Sequence, residues 1–228
     1  MAGPIDVYLE AGTKRVFAGA LDWPGWCRSG RDSEAALDSL ATYARRYAKA
    51  IGRAGGAFTP PKDASGLRIV ERVAGTSTTD FGAPGVSPSS DDRPLGQRDT
   101  ERLITLLRAT WTAFDRTARA ADGVSLARGP RGGGRELGAI LRHVLEAEAA
   151  YLAKLGAPYR KLDPGTDVAN ETGDARTSMV DLVASRAAGE PPPRTPRRGS
   201  LWSPRYAVRR SAWHALDHAW EIEDRMER

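Results

Sequence analysis

The chain has 228 residues, 40% of them hydrophobic and 28% charged, with a formal net charge of +5. This is the composition of globular domains, with enough length for one large core or two small ones, and no run of about 18 apolar residues is present to span a bilayer. Its single cysteine, Cys27, excludes an intrachain disulfide and a cysteine-cluster zinc site. Met1 to Glu10 lack the basic start and apolar core of a secretory signal, which points to the cytoplasm and away from a membrane.

In chain order, Val7-Tyr8-Leu9-Glu10 and Arg15 to Leu21 are β-prone runs separated by Ala11-Gly12-Thr13-Lys14, the pattern of a hairpin. Pro24-Gly25 forces a turn. Asp32 or Ser33 caps a helix expected to run to Ile51, with Leu37, Leu40, Ala44, Tyr47 and Ile51 on one face. Leu67 to Val73 alternates apolar and polar and reads as a further strand of the same sheet.

The order of strand, Leu21-Asp22-Trp23-Pro24-Gly25-Trp26-Cys27 turn and helix start Ser33-Glu34-Ala35-Ala36-Leu37 resembles the HicB-like antitoxin fold over residues 5–73. The resemblance implies a small antiparallel sheet plus one helix. Nothing after Val73 resembles the ribbon-helix-helix or helix-turn-helix unit of that family's DNA-binding members, so the expected role is a folding or interaction module. Asp22 and Cys27 read as a turn-capping carboxylate and a small buried side chain.

Residues 76–96 are rich in Gly, Pro, Ser, Thr and Asp and read as a linker between residues 1–75 and 97–228. Beyond it the pattern turns helical. Leu103, Leu107, Thr110, Phe114 and Ala118 mark a first helix over 99–121, and a loop follows at 129–134. Leu137, Leu141, Val144, Glu148, Tyr151 and Leu155 mark a second helix over 136–155, with His143 on an adjoining strip. Ser178 caps a short third helix to Ala188, and Ser203-Pro204 opens a long fourth. Four helices in one unit imply an all-α bundle. The densest basic group, Arg194, Arg197, Arg198, Arg205, Arg209 and Arg210, flanks the start of the last helix. Arginine elsewhere is dispersed, so the charge speaks to solubility, and nucleic acid is not an expected partner.

The chain has only three histidines. His214 and His218 are four residues apart, so both imidazoles leave one helix face about one turn apart. With His143 from a facing helix they would make a three-point site with open positions, for which zinc, nickel, iron and manganese are all suitable. Glu221 continues the same face and is a candidate to orient a ligand or accept a proton, whereas Asp217 points further round. The alternative is that the three histidines are ordinary residues of amphipathic helices, satisfied by hydrogen bonds or exposed.

Leu141-Arg142-His143-Val144-Leu145-Glu146 on a second helix and Trp213-His214-Ala215-Leu216-Asp217-His218 on a fourth resemble the DinB superfamily over residues 97–228. The resemblance implies a four-helix bundle in which His143, His214 and His218 hold a divalent metal, zinc or nickel first, iron or manganese next. It also implies thiol-dependent S-transfer or isomerisation, with a low-molecular-weight thiol such as mycothiol and an electrophile as small-molecule partners. Metal-water hydrolysis with Glu221 as base, and a non-catalytic protein whose N-terminal module binds a partner while the metal is structural, are the competing readings. Pairing of two chains through their bundles is left open.

Overall fold

A computed structural model describes residues 3–128, 134–159, 161–195 and 200–226. The expected loop at 129–134, apart from Gly134, lies outside the described residues, as do Arg197 and Arg198 of the basic group. The chain divides into two units, Met1–Arg93 and Pro94–Arg228.

In the first unit, β1 (Ile5–Ala11) and β2 (Val16–Ala20) form the hairpin, with Val7 opposite Ala20 and Glu10 opposite Phe17. Tyr8 lies opposite Gly19, and a Cβ on that glycine would stand 2.5 Å from the tyrosine ring, so the pair closes only with glycine there. Trp23-Pro24-Gly25-Trp26 makes a tight turn closed by a bond from Trp26 N to Trp23 O, with Gly25 at φ 91°. Proline followed by a positive-φ glycine is the signature of a type II turn. It leads into β3 (Cys27–Gly30), a strand absent from the sequence reading, where Cys27 is buried.

β4 (Leu67–Ala74) lies on the other side of β1, parallel to it, with Ile5 opposite Leu67 and a bulge after Val7. The sheet order is β3-β2-β1-β4. The sheet is therefore mixed, not antiparallel as expected. Parallel neighbours need a long crossover, and the helical stretch between β3 and β4 supplies it.

That stretch is two helices rather than one, α1 (Ser33–Thr42) and α2 (Ala44–Ile51), parted at Tyr43. Asp32 caps α1 by accepting from Ala35 N at 2.8 Å. The indole of buried Trp26 donates to Leu40 O at 2.9 Å. Leu40 O is the carbonyl that Ala44 N would take in an unbroken helix, so a tertiary bond sits where the ladder is interrupted. Tyr47 on α2 stacks on Trp26 at 5.7 Å and donates to Pro24 O at 3.0 Å, tying the helix pair to the turn.

The stretch expected as a linker folds back on the sheet. Glu10, fully buried on β1, accepts from Thr79 Oγ1, from Gly85 N at 2.8 Å and from Val86 N at 3.1 Å. Thr79 belongs to α3 (Ser77–Phe81), which Thr76 caps through a reciprocal capping box. Further on, Ser89 N donates to Glu71 of β4 at 2.9 Å. A carboxylate with three donors is the anchor here. Glu10→Ala is expected to speed amide hydrogen exchange at Gly85 and Val86 by about two orders of magnitude, for a loss of about 3 kcal/mol in hydrogen bonds to a charged acceptor. Unchanged exchange would refute the anchor.

The second unit contains α4 (Gln97–Ala120), α5 (Leu137–Leu155), α6 (Val168–Ala187) and α7 (Pro204–Met226). Three match the sequence reading closely. α6 is much longer than expected: Asp167, not Ser178, caps it, accepting from Ala169 N at 3.0 Å and Asn170 N at 3.2 Å. Gly173 stays helical within it, a cost of about 1 kcal/mol that the rest of the helix offsets. At α7, Ser203 Oγ accepts from Tyr206 N at 3.2 Å.

α7 packs against α4, α5 and α6. From Tyr206 to Trp220 every residue except Asp217 is buried. Its core side is small, with Ala207, Ala212, Ala215 and Ala219 meeting Leu107 and Phe114 of α4, Val144 of α5 and Met179 and Val183 of α6 in one apolar cluster. No helix among the described residues is long and apolar enough to cross a membrane.

Glu148 of α5 is buried, with the Arg176 guanidinium 3.7 Å away and neither carboxyl oxygen hydrogen-bonded among the described residues. Arg176 instead directs Nη1 to Asp115 at 2.7 Å. Burial pushes the Glu148 carboxyl from 4.5 up to about 7, against the pull of Arg176. A raised folded-state value means that folding takes up a proton, so this stabilisation is complete below the unfolded value and is lost as pH rises through about 7. Glu148→Gln is expected to remove that dependence. Its stability relative to wild type should climb between about pH 4.5 and 8 in thermal unfolding, and a constant difference would refute the assignment.

Candidate metal centre

His143 comes from α5, and His214 and His218 come from α7. The one-turn spacing places the last two together, with ring centroids 4.6 Å apart. Packing of α5 on α7 brings His143 to both, at 5.1 Å from His214 and 5.0 Å from His218. One potential ligand atom from each residue lies within 4.8 Å of the other two, and these three form the group among the described residues that could hold a metal ion. Asp217 and Glu221 are outside it.

His143 Nε2 and His214 Nε2 are 3.3 Å apart. Two nitrogens each about 2.05 Å from one tetrahedral zinc stand about 3.3 Å apart, so this separation is also the edge of a zinc coordination tetrahedron. His214 and His218 are only 7% and 8% exposed. Burial holds the His214 imidazole well below its ordinary value, and the His218 ring, Arg210 and His143 push the same way. His143 is lowered too, first by burial and then by His218 and Arg135. Both rings are therefore neutral near pH 7, the form with a lone pair free for an ion.

His218 is oriented by Glu221, whose Oε2 lies 2.7 Å from Nδ1. This hydrogen bond holds the Glu221 carboxyl below its ordinary range. An ionised carboxylate only accepts, so Nδ1 carries a proton and Nε2 is the nitrogen left for the cluster. The other oxygen of Glu221 accepts from Arg225 Nη1 at 3.1 Å. Arg225 also donates to Ala127 O and Arg135 O, both at 2.7 Å. A carboxylate bound to the distal nitrogen of an imidazole is the usual support of a histidine metal ligand. His214 lacks such a partner: its Nδ1 is buried without a hydrogen bond, and the Tyr151 ring at 5.9 Å and the Trp213 ring at 6.0 Å pack around it. The donor set thus fits a divalent ion of the zinc type, with three imidazoles from two helices and a carboxylate behind one of them.

Sequence reasoning reached the three histidines and Glu221 but missed Arg225 and Arg135, whose parts depend on the carbonyls of Ala127 and Arg135 meeting the end of α7. Of the basic group read as surface charge, Arg209 and Arg210 are buried and Arg205 lies 3.8 Å from Asp99. Arg210 falls four residues before His214, a spacing that was there to be read.

Glu221→Gln keeps the shape and removes the charge behind His218. It is expected to lower metal affinity by about 10- to 100-fold without abolishing binding, measured by competition with a chromophoric chelator; unchanged affinity would remove Glu221 from the site. The centre stands on its geometry, since no family model, no curated protein and no solved structure matches this chain.

Proposed function

We propose that residues 97–228 form a DinB-like four-helix bundle, that His143, His214 and His218 bind one divalent ion, and that the protein transfers a low-molecular-weight thiol such as mycothiol to an electrophile. The observation that supports this reading is the convergence of all the histidines of the chain, with ligand atoms within 4.8 Å of one another, at one buried point. Zinc or nickel suits three imidazoles best, and iron or manganese is compatible. A divalent ion bound there supplies Lewis acidity and favours the thiolate form of a coordinating thiol. His143 and His214 bind as neutral donors, and His218 is held in the donor tautomer by Glu221. Glu221 is the base that a hydrolytic reading needs, yet its oxygens are engaged by His218 and Arg225, which favours thiol transfer over metal-water hydrolysis.

A second reading keeps the metal as a structural staple and gives the function to the N-terminal module, HicB-like in its sequence, as a partner-binding surface. Its described residues include two exposed large apolar side chains, Phe81 at 91% and Val70 at 47%.

Elemental analysis of untagged protein is expected to find about one ion per chain in wild type and none in His143→Ala, His214→Ala or His218→Ala, with helical circular dichroism near wild type in each. Equal metal content in wild type and all three variants would sink the site. In cobalt-substituted protein, a visible-spectrum change on adding thiol supports the transferase, and an unchanged spectrum supports the closed structural site.

A further inference from the structure

Arg210 stands one helical turn before His214 on α7, so its side chain leaves the same face as His214 and His218. It is 8% exposed, and its guanidinium lies 4.7 Å over the Trp213 ring and 5.4 Å over the Tyr151 ring. Tyr151 in turn meets His214 edge-on at 5.9 Å. The cation is thus clamped between two aromatic side chains that also wall His214.

Two other guanidiniums of this unit have carboxylate partners. Arg176 pairs with Asp115 at 2.7 Å, and Arg225 with Glu221 at 3.1 Å and two carbonyls. Arg210 has no carboxylate partner among the described residues, and its Nη1 is buried without a hydrogen bond. An unpaired cation taken out of water costs several kcal/mol, of which stacking on aromatic rings returns about 1 to 2 kcal/mol. An anion beside it would remove the deficit.

We propose that Arg210 receives the oxyanion of the substrate, a carboxylate or phosphate, while the other end of the same molecule reaches the three-histidine site. The assignment rests on the metal-site reading for what lies at that other end. Guanidinium takes such groups through paired, charge-assisted hydrogen bonds, which set orientation as well as affinity. Arg210 is then the residue that selects anionic substrates over neutral ones of the same length.

The test compares 3-mercaptopropionate with 3-mercapto-1-propanol, which differ in the anionic end, by calorimetric titration of cobalt-loaded and of metal-free protein. Wild type is expected to prefer the anion by about tenfold or more, and Arg210→Met to bring the ratio close to one. Arg210→Lys should keep part of the preference, and all three proteins should hold equal cobalt. Arg210→Met should unfold at or above the wild-type temperature, because it removes a buried unpaired charge; where it does not fold, Arg210→Gln takes its place in the comparison. No preference in wild type, or the same preference in the variant, overturns the proposal. If wild type retains no cobalt, the metal reading falls by itself. The ratio in metal-free protein then decides for Arg210, upheld if the ratio depends on this residue and overturned if it does not.

Discussion

The second unit depends on α7 being buried on nearly every side while carrying charge. A helix in that position is ordinarily apolar all round. This one brings Arg210, His214, His218 and Arg225 inside, and each needs an answer to the cost of leaving water. Arg225 is answered by two loop carbonyls and Glu221, and His218 by the other oxygen of Glu221. His214 is answered by giving up its proton and meeting His143. Arg210 meets the faces of Tyr151 and Trp213, with no carboxylate partner among the described residues. The histidine cluster and the unpaired guanidinium are therefore two results of one constraint.

Small residues make that burial possible. Ala207, Ala212, Ala215 and Ala219 let α4, α5 and α6 approach the α7 backbone closely, so the polar side chains on its remaining face are covered as well. Close approach also positions the site. Its three histidines come from only two helices, and their separation follows from how near α5 lies to α7.

The first unit solves a similar problem with a carboxylate. Glu10 is buried in β1 because three donors from the segment after β4 surround it, which turns a stretch of linker composition into a folded cover of the sheet. Composition alone could not reveal this, since the Thr, Gly and Ser that fit a flexible linker also fit a capped turn. The same limit applies to β4. Its alternation marked a strand, but whether a strand lies parallel or antiparallel depends on the path between strands, and alternation carries no information on that path.

Local geometry made the rest legible. The hairpin, the Pro-Gly turn, the start of α7 at Ser203-Pro204 and the shared face of His214 and His218 follow from neighbours a few residues apart, where backbone sterics and helix pitch decide. The break at Tyr43 and the meeting of His143 with its two partners turn on groups distant in sequence, the Trp26 indole on Leu40 O and α5 against α7. So does the burial of Arg210, which the sequence presented as one of a basic cluster. Sequence by itself determined which side chains share an element and a face, because those relations are set within one turn or one strand. Tertiary structure decided which faces meet and which charges lose their water, because both depend on packing between elements that no local pattern encodes.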